Sequence, residues 1–120
     1  MKIFMDINLG TNPNTQILKK YNLSSGVDGN YFITLGNSEG EYPSLQYWLS
    51  EVFYVSNLHG DKLMIDCIVS SVLRIWIDSY RDDVFFDLRL SGKDIKFFEK
   101  FSVILDVDYQ NLMKPVLDAE

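Results

Sequence analysis

The chain opens on a strict alternation. Ile3, Met5, Ile7 and Leu9 are separated by Phe4, Asp6 and Asn8, and a period of two is what a strand with one buried face requires, because successive side chains leave opposite sides of the backbone. Gly10-Thr11-Asn12-Pro13 stops it as a turn cluster. From Asn14 the spacing becomes helical, with Ile17, Leu18 and Tyr21 along one stripe, and Pro13 suits the start of a short helix. Ser24 to Gly29 reads as a loop, Tyr31 to Leu35 as a second strand rich in β-formers, and Gly36 to Pro43 as a further loop. Leu45, Trp48, Leu49, Val52 and Phe53 then recur at i, i+3, i+4, i+7 and i+8, which predicts an amphipathic helix.

Leu58-His59-Gly60 looks like a helix exit and Asp61 like an N-cap, after which the apolar run Leu63 to Ser71 suits either a helix or a strand, with helix preferred. Leu73, Ile75 and Ile77 alternate with Arg74, Trp76 and Asp78, a strand that Ser79 to Asp83 turns into a second one over Val84 to Leu90, as a hairpin. Ser91 and Asp94 have the spacing of a capping box, opening a helix that carries Ile95, Phe98 and Phe101 with Phe97 beside them. Val103, Leu105, Val107 and Tyr109 alternate with Ile104, Asp106 and Asp108 in a last strand.

Helices in these connections bury their apolar stripes against one sheet face, so the pattern predicts an α+β fold. It takes the form of a two-layer ferredoxin-like sandwich, with a mainly antiparallel sheet and helices on one face, over a single domain of residues 1–120. The other face stays comparatively open, the alternative being that the C-terminal segment Leu112 to Leu117 or a second copy of the chain covers Phe4, Trp76 and Phe85. By the alternation this face bears Phe4, Asp6, Arg74, Trp76, Asp78, Tyr80, Phe85, Asp87, Arg89, Ile104, Asp106 and Asp108, so aromatic rings and carboxylates share one surface.

Composition narrows the partners. With 47% apolar and 23% charged residues the chain has the balance of a folded globule. Its net charge of −6 disfavours nucleic acid and anionic membrane and favours a cationic protein, since opposite charges steer association. The single cysteine, Cys67, precludes an intrachain disulfide, and no run of residues suits a signal peptide or a bilayer span, so a cytoplasmic location is expected.

Candidate chemistry is sparse. His59 suits a capping or surface role, and Cys67 lies in the apolar run Met64 to Val69, where a buried inert thiol is expected. No Gly-x-Ser-x-Gly elbow accompanies His59, and no glycine-rich phosphate loop is present. Asp82-Asp83 and Asp106-Val107-Asp108 offer oxygen ligands without the spacing of an EF-hand, so they read as solvated carboxylates. No catalytic residue, metal or cofactor is expected.

Four stretches also carry a family pattern: NPNTQILKKYNLSS, GNYFITLG, YPSLQYWLSEVF and FFDLRLSGKDIKFFEKFSVILDVDY. In their order the chain resembles the small bacterial proteins of domain-of-unknown-function family 4279, a resemblance that implies an α+β fold and brings no catalytic residues. In size, acidity and aromatic content it is also similar in type to bacterial toxin-immunity proteins.

The function expected from all this is non-enzymatic: an immunity protein that blocks a cationic toxin domain such as a nuclease. Asp78, Asp87, Asp106 and Asp108 would supply the field, and Trp76, Tyr80 and Phe85 the anchors. The alternative is a small-ligand or regulatory binding module, homodimeric through the same face. A third option, an enzyme using His59 with nearby carboxylates, would require a cleft around that residue.

Overall fold

The computed structural model describes residues 1–79 and 89–111, the side chains of Asp78, Ser79 and Asn111 excepted. It is a mixed α+β structure whose five-stranded sheet has the order β2-β3-β1-β4-β5. Strand β1 (Lys2–Asn8) occupies the middle and runs antiparallel to both β3 (Tyr31–Glu41) and β4 (Ser70–Ser79). The short β2 (Ser24–Ser25) pairs antiparallel with β3, while β5 (Val103–Asn111) pairs parallel with β4. A parallel pair needs a crossover, and α4 (Gly92–Lys100) lies within it.

One side of the sheet is the core side. Ile3, Met5 and Ile7 of β1, Ile33 of β3 and Leu73, Ile75 and Ile77 of β4 are buried in one cluster with Ile17, Trp48, Phe53, Met64, Phe97 and Phe101 from the helices. Each helix has a local reason to start. Asn14 caps α1 (Thr15–Lys20) through Gln16 N, Ser44 caps α2 (Leu45–Trp48) through Tyr47 N, and Asp61 caps α3 (Lys62–Asp66) through Met64 N. Helix α1 thus begins just after Pro13, as the spacing predicts, with Asn14 as its cap. At α4 the capping box is complete: Ser91 Oγ accepts from Asp94 N at 3.3 Å, and Asp94 Oδ2 accepts from Ser91 N at 3.0 Å.

Several boundaries differ from expectation. Strand β3 runs on through Gly36 to Glu41, where composition suggested a loop. The continuation passes an irregularity in the register, with Lys2 opposite Glu41 but Phe4 opposite Gly36, and Gly36 takes the left-handed φ of +84° that such a kink requires. Ser24 and Ser25, read as loop, make β2. The run Leu63 to Ser71 divides into the end of α3 and the first residues of β4.

After α2 the helix widens into a π-type turn, Leu49–Phe53, and then narrows to Tyr54–Ser56. Leu45, Trp48, Leu49 and Phe53 are buried as the spacing predicts. In α4 the inward face is turned from the one expected: Phe97 and Phe101 are buried together with Asp94, whereas Ile95 is exposed. Phe53 holds this layer together, its ring centre 3.8 Å from that of Phe97 and 5.3 Å from that of Phe101. Ser102, at φ +50°, ends α4 and turns the chain into β5. Of the expected strand Val84 to Leu90, residues 84–88 lie outside the described residues, and Arg89 and Leu90 are not in a strand.

Candidate functional site

The open face is built by the even-numbered residues of three strands. The pairing of β1 with β4 sets Phe4 opposite Arg74 and Lys2 opposite Trp76. The parallel pairing of β4 with β5 sets Val72 opposite Ile104, Arg74 opposite Asp106 and Trp76 opposite Asp108. Residues with the same pleat phase emerge on the same side, so Trp76, Asp106 and Asp108 share a surface with Phe4, Asp6 and Arg74.

Arg74 organises the middle of that surface. Its Nη1 donates to Asp6 Oδ2 at 2.6 Å and its Nε lies 3.9 Å from Asp106 Oδ2. Thr34 Oγ1 donates to the other Asp6 oxygen at 2.7 Å. Asp6 is therefore engaged on both oxygens. The Arg74 guanidinium also stands 5.8 Å from the Phe4 ring centre, and Trp76 packs edge-on to that ring at 5.0 Å. Phe4, expected to be open, is buried by these two neighbours at 8% exposure.

Toward β5 the face is more exposed. Trp76 is 37% exposed, Ile104 58%, and the Asp106 side chain 55%. Asp108 is exposed and makes no ion pair among the described residues. The acidity is thus concentrated along β5, while Arg74 and Lys2 bring positive charge to the same face nearer its centre. Of the other residues expected here, the Asp78 side chain and Tyr80, Phe85 and Asp87 lie outside the described residues, although the backbone register sets Asp78 opposite Gln110. Leu105, Val107 and Tyr109, expected on the helix-covered side, are each more than a third exposed.

A feature with no periodic signal in the sequence lies beside Arg74. A hollow of about 490 Å³ runs between β2 and β4, walled by Asn8, Ser24, Ser25, Thr34 and Ser70 with Phe32 and Val72 beneath. Its polar groups are mostly hydroxyls. They come from four strands, and only the pairing of β2 with β3 brings Ser24 and Ser25 to it.

On the helix layer, the titratable groups have structural work. Asp61 caps α3 and accepts hydrogen bonds from Lys20 Nζ at 2.8 Å and from the Tyr21 hydroxyl, tying α1 to α3. The Lys20 and Tyr21 bonds hold its carboxyl down at about 2. Tyr54 donates to Asp94 Oδ1 at 3.2 Å, and burial, with the Asp94 charge beside it, pushes its phenol up to about 12. His59 lies in the last turn of the short 3-10 helix Leu58–Gly60, the helix C-terminus expected of it. Its ring packs 5.8 Å from Phe53 and 5.2 Å from Tyr54, with Nδ1 buried. Cys67 is a free thiol, half-buried rather than enclosed.

Among the described residues no three His, Cys, Asp or Glu side chains are grouped as metal ligands would be, and no helix is long and apolar enough to cross a membrane. No family model matches the chain, and no curated protein or solved structure is significantly similar to it.

Proposed function

We propose that the chain is a non-enzymatic interaction protein that presents the β4–β5 side of its open sheet face to a cationic protein, in the manner of an immunity protein occupying the substrate surface of a toxin domain such as a nuclease. The observation that carries it is the register: Trp76 beside Asp108 and Arg74 beside Asp106 set an exposed indole at the border of the β5 carboxylates, with Lys2 on its other side. A buried ring supplies affinity at the centre of an interface, and flanking charges supply on-rate. The net charge of −6 acts in the same sense at longer range. The likeness in type to toxin-immunity proteins and the resemblance to family 4279 belong to the same proposal. So does the ferredoxin-like description, which is offered for the layering, helices on one side of the sheet, and not for the strand order.

The test captures the partner from cells on the wild-type chain and on a Trp76→Ala, Asp106→Asn, Asp108→Asn variant, identifies it, and follows association by stopped flow at low and high salt. A basic protein retained by the wild type alone, associating at low salt about tenfold more slowly with the variant, supports the proposal. An acidic partner, or equal on-rates, contradicts it.

The second reading, a small-ligand or regulatory module, is favoured by the hydroxyl-walled hollow beside Arg74. It separates from the first by Ser24→Leu, which would fill the hollow and abolish ligand binding there but leave Arg74, Trp76 and Asp108 in place. If the module is also homodimeric through the open face, the mass in solution rises with concentration.

A further inference from the structure

The helix layer carries the opposite sign. Lys93, Lys96 and Lys100 stand at i, i+3 and i+7 of α4, on one stripe of the helix. Among the described residues none of the three has a carboxylate within ion-pair distance. The Lys93 ammonium instead lies 3.9 Å from the centre of the Tyr54 ring. Like charges at this spacing weaken a helix, and a cation in its first turn opposes the dipole. Lys100, in the last turn, suits the dipole, but stability of α4 does not account for Lys93 and Lys96, and the chain around them is acidic.

Beneath the stripe is a cavity of about 350 Å³, lined by Tyr54, His59, Phe97 and Phe101 as well as by the three lysines. Its floor is aromatic, with the half-buried rings of Tyr54 and His59 centred 5.2 Å apart and Phe97 and Phe101 buried behind them. Of the acidic groups nearby, Glu99 of the same helix is not ion-paired with any of the three lysines among the described residues. Asp94 is engaged by Ser91 N and the Tyr54 hydroxyl, and Asp66 lines the adjoining hollow with Lys100 without pairing to it. The volume sits at the small end of the roughly 300–1,000 Å³ typical of ligand pockets, enough for one ring with a charged group.

We propose that this cavity binds a small aromatic anion, an aryl carboxylate or aryl phosphate. The ring lies against Tyr54 and His59, and the anionic group is held by Lys96 and Lys100. An apolar floor excludes water from the ring, and a charge-assisted bond near that floor is stronger than one at an open surface. The site lies on the layer away from the acidic sheet face, so it stands or falls independently of the partner proposed above.

The experiment is a two-dimensional NMR titration of the nitrogen-labelled chain with phenyl phosphate, benzoate, inorganic phosphate and phenol in parallel. Saturable shifts confined to α4 and residues 54–60 are expected for one or both aryl anions, with the preferred one identifying the anionic group. Inorganic phosphate and phenol are expected to bind about tenfold more weakly or not at all, and Lys96→Gln with Lys100→Gln to weaken the aryl anion by about tenfold or more. Because both lysines are exposed, the urea midpoint of that variant should match the wild type. No saturable shift with either aryl anion, equal affinity for inorganic phosphate or phenol, or an unaffected double variant would overturn the assignment.

Discussion

Gly36 is the backbone position on which the sheet's geometry depends most sharply, and Gly36→Ala measures that dependence. Two costs add. An L-residue at φ +84° is in the left-handed region, at about 1–2 kcal/mol. The new Cβ would also stand 2.8 Å from Trp48 Nε1 and 2.9 Å from the Ile3 carbonyl oxygen. The indole can shift, but the Ile3 carbonyl belongs to the central strand and cannot move without disturbing its pairing, so overpacking adds about 1–3 kcal/mol. The sum, about 2–5 kcal/mol, is a large part of the roughly 5–15 kcal/mol that holds a domain folded.

Gly29→Ala is the control. Gly29 has nearly the same φ, +81°, and nothing within 4 Å of the added atom. It carries the conformational cost alone, and the restriction that alanine places on the unfolded chain is common to both variants. Urea denaturation should show Gly36→Ala less stable than Gly29→Ala by about 1–3 kcal/mol at unchanged m. Equal midpoints would refute the close approach of β3, β1 and Trp48.

Other outcomes follow from the helix layer. Phe53→Ala removes the ring that joins Phe97, Phe101 and Tyr54 and should cost about 3–5 kcal/mol in urea denaturation. The folded-state pKa of Asp61, about 2, is below its ordinary 3.8, so the clamp contributes fully above about pH 4 and is lost as pH falls toward 2. Asp61→Asn keeps a capping side chain and should flatten that acid limb in a series of urea midpoints; an unchanged limb would contradict the clamp. Tyr54 is shifted the other way, up to about 12 from 10.0, so its contribution is present below pH 10 and lost as pH rises through 12. Tyrosinate absorbance should lose a component titrating near 12 in Tyr54→Phe.

Much of the fold was legible because burial imposes periodicity. The alternation in β1, β4 and β5 set the phase of the open face, and Ser91 and Asp94 announced α4. The polar end of β3 was hidden, since Asn37, Ser38, Glu39 and Gly40 have no strand preference and are held by pairing across an irregular register. Ile95 was expected inward in α4, but Asp94 takes the inward position because Ser91 and Tyr54 satisfy its carboxylate. Within the site, the covering of Phe4 by Trp76 and the engagement of Asp6 by Arg74 join residues about seventy positions apart. No local pattern encodes such pairs. The lysine stripe of α4 was readable as a spacing, whereas its cavity also needs Tyr54 and His59 from another element.

The central claim, an accessible indole in an acidic field, can be measured without any partner. Trp48 is fully buried and Trp76 is 37% exposed, so Trp48→Phe leaves Trp76 as the sole indole. Its fluorescence is quenched with caesium and with iodide at low ionic strength, each normalised to free N-acetyltryptophanamide. Caesium should be the more effective after normalisation, and Asp106→Asn with Asp108→Asn should remove the preference. Quenching by neither ion, or a preference for iodide, would contradict the account.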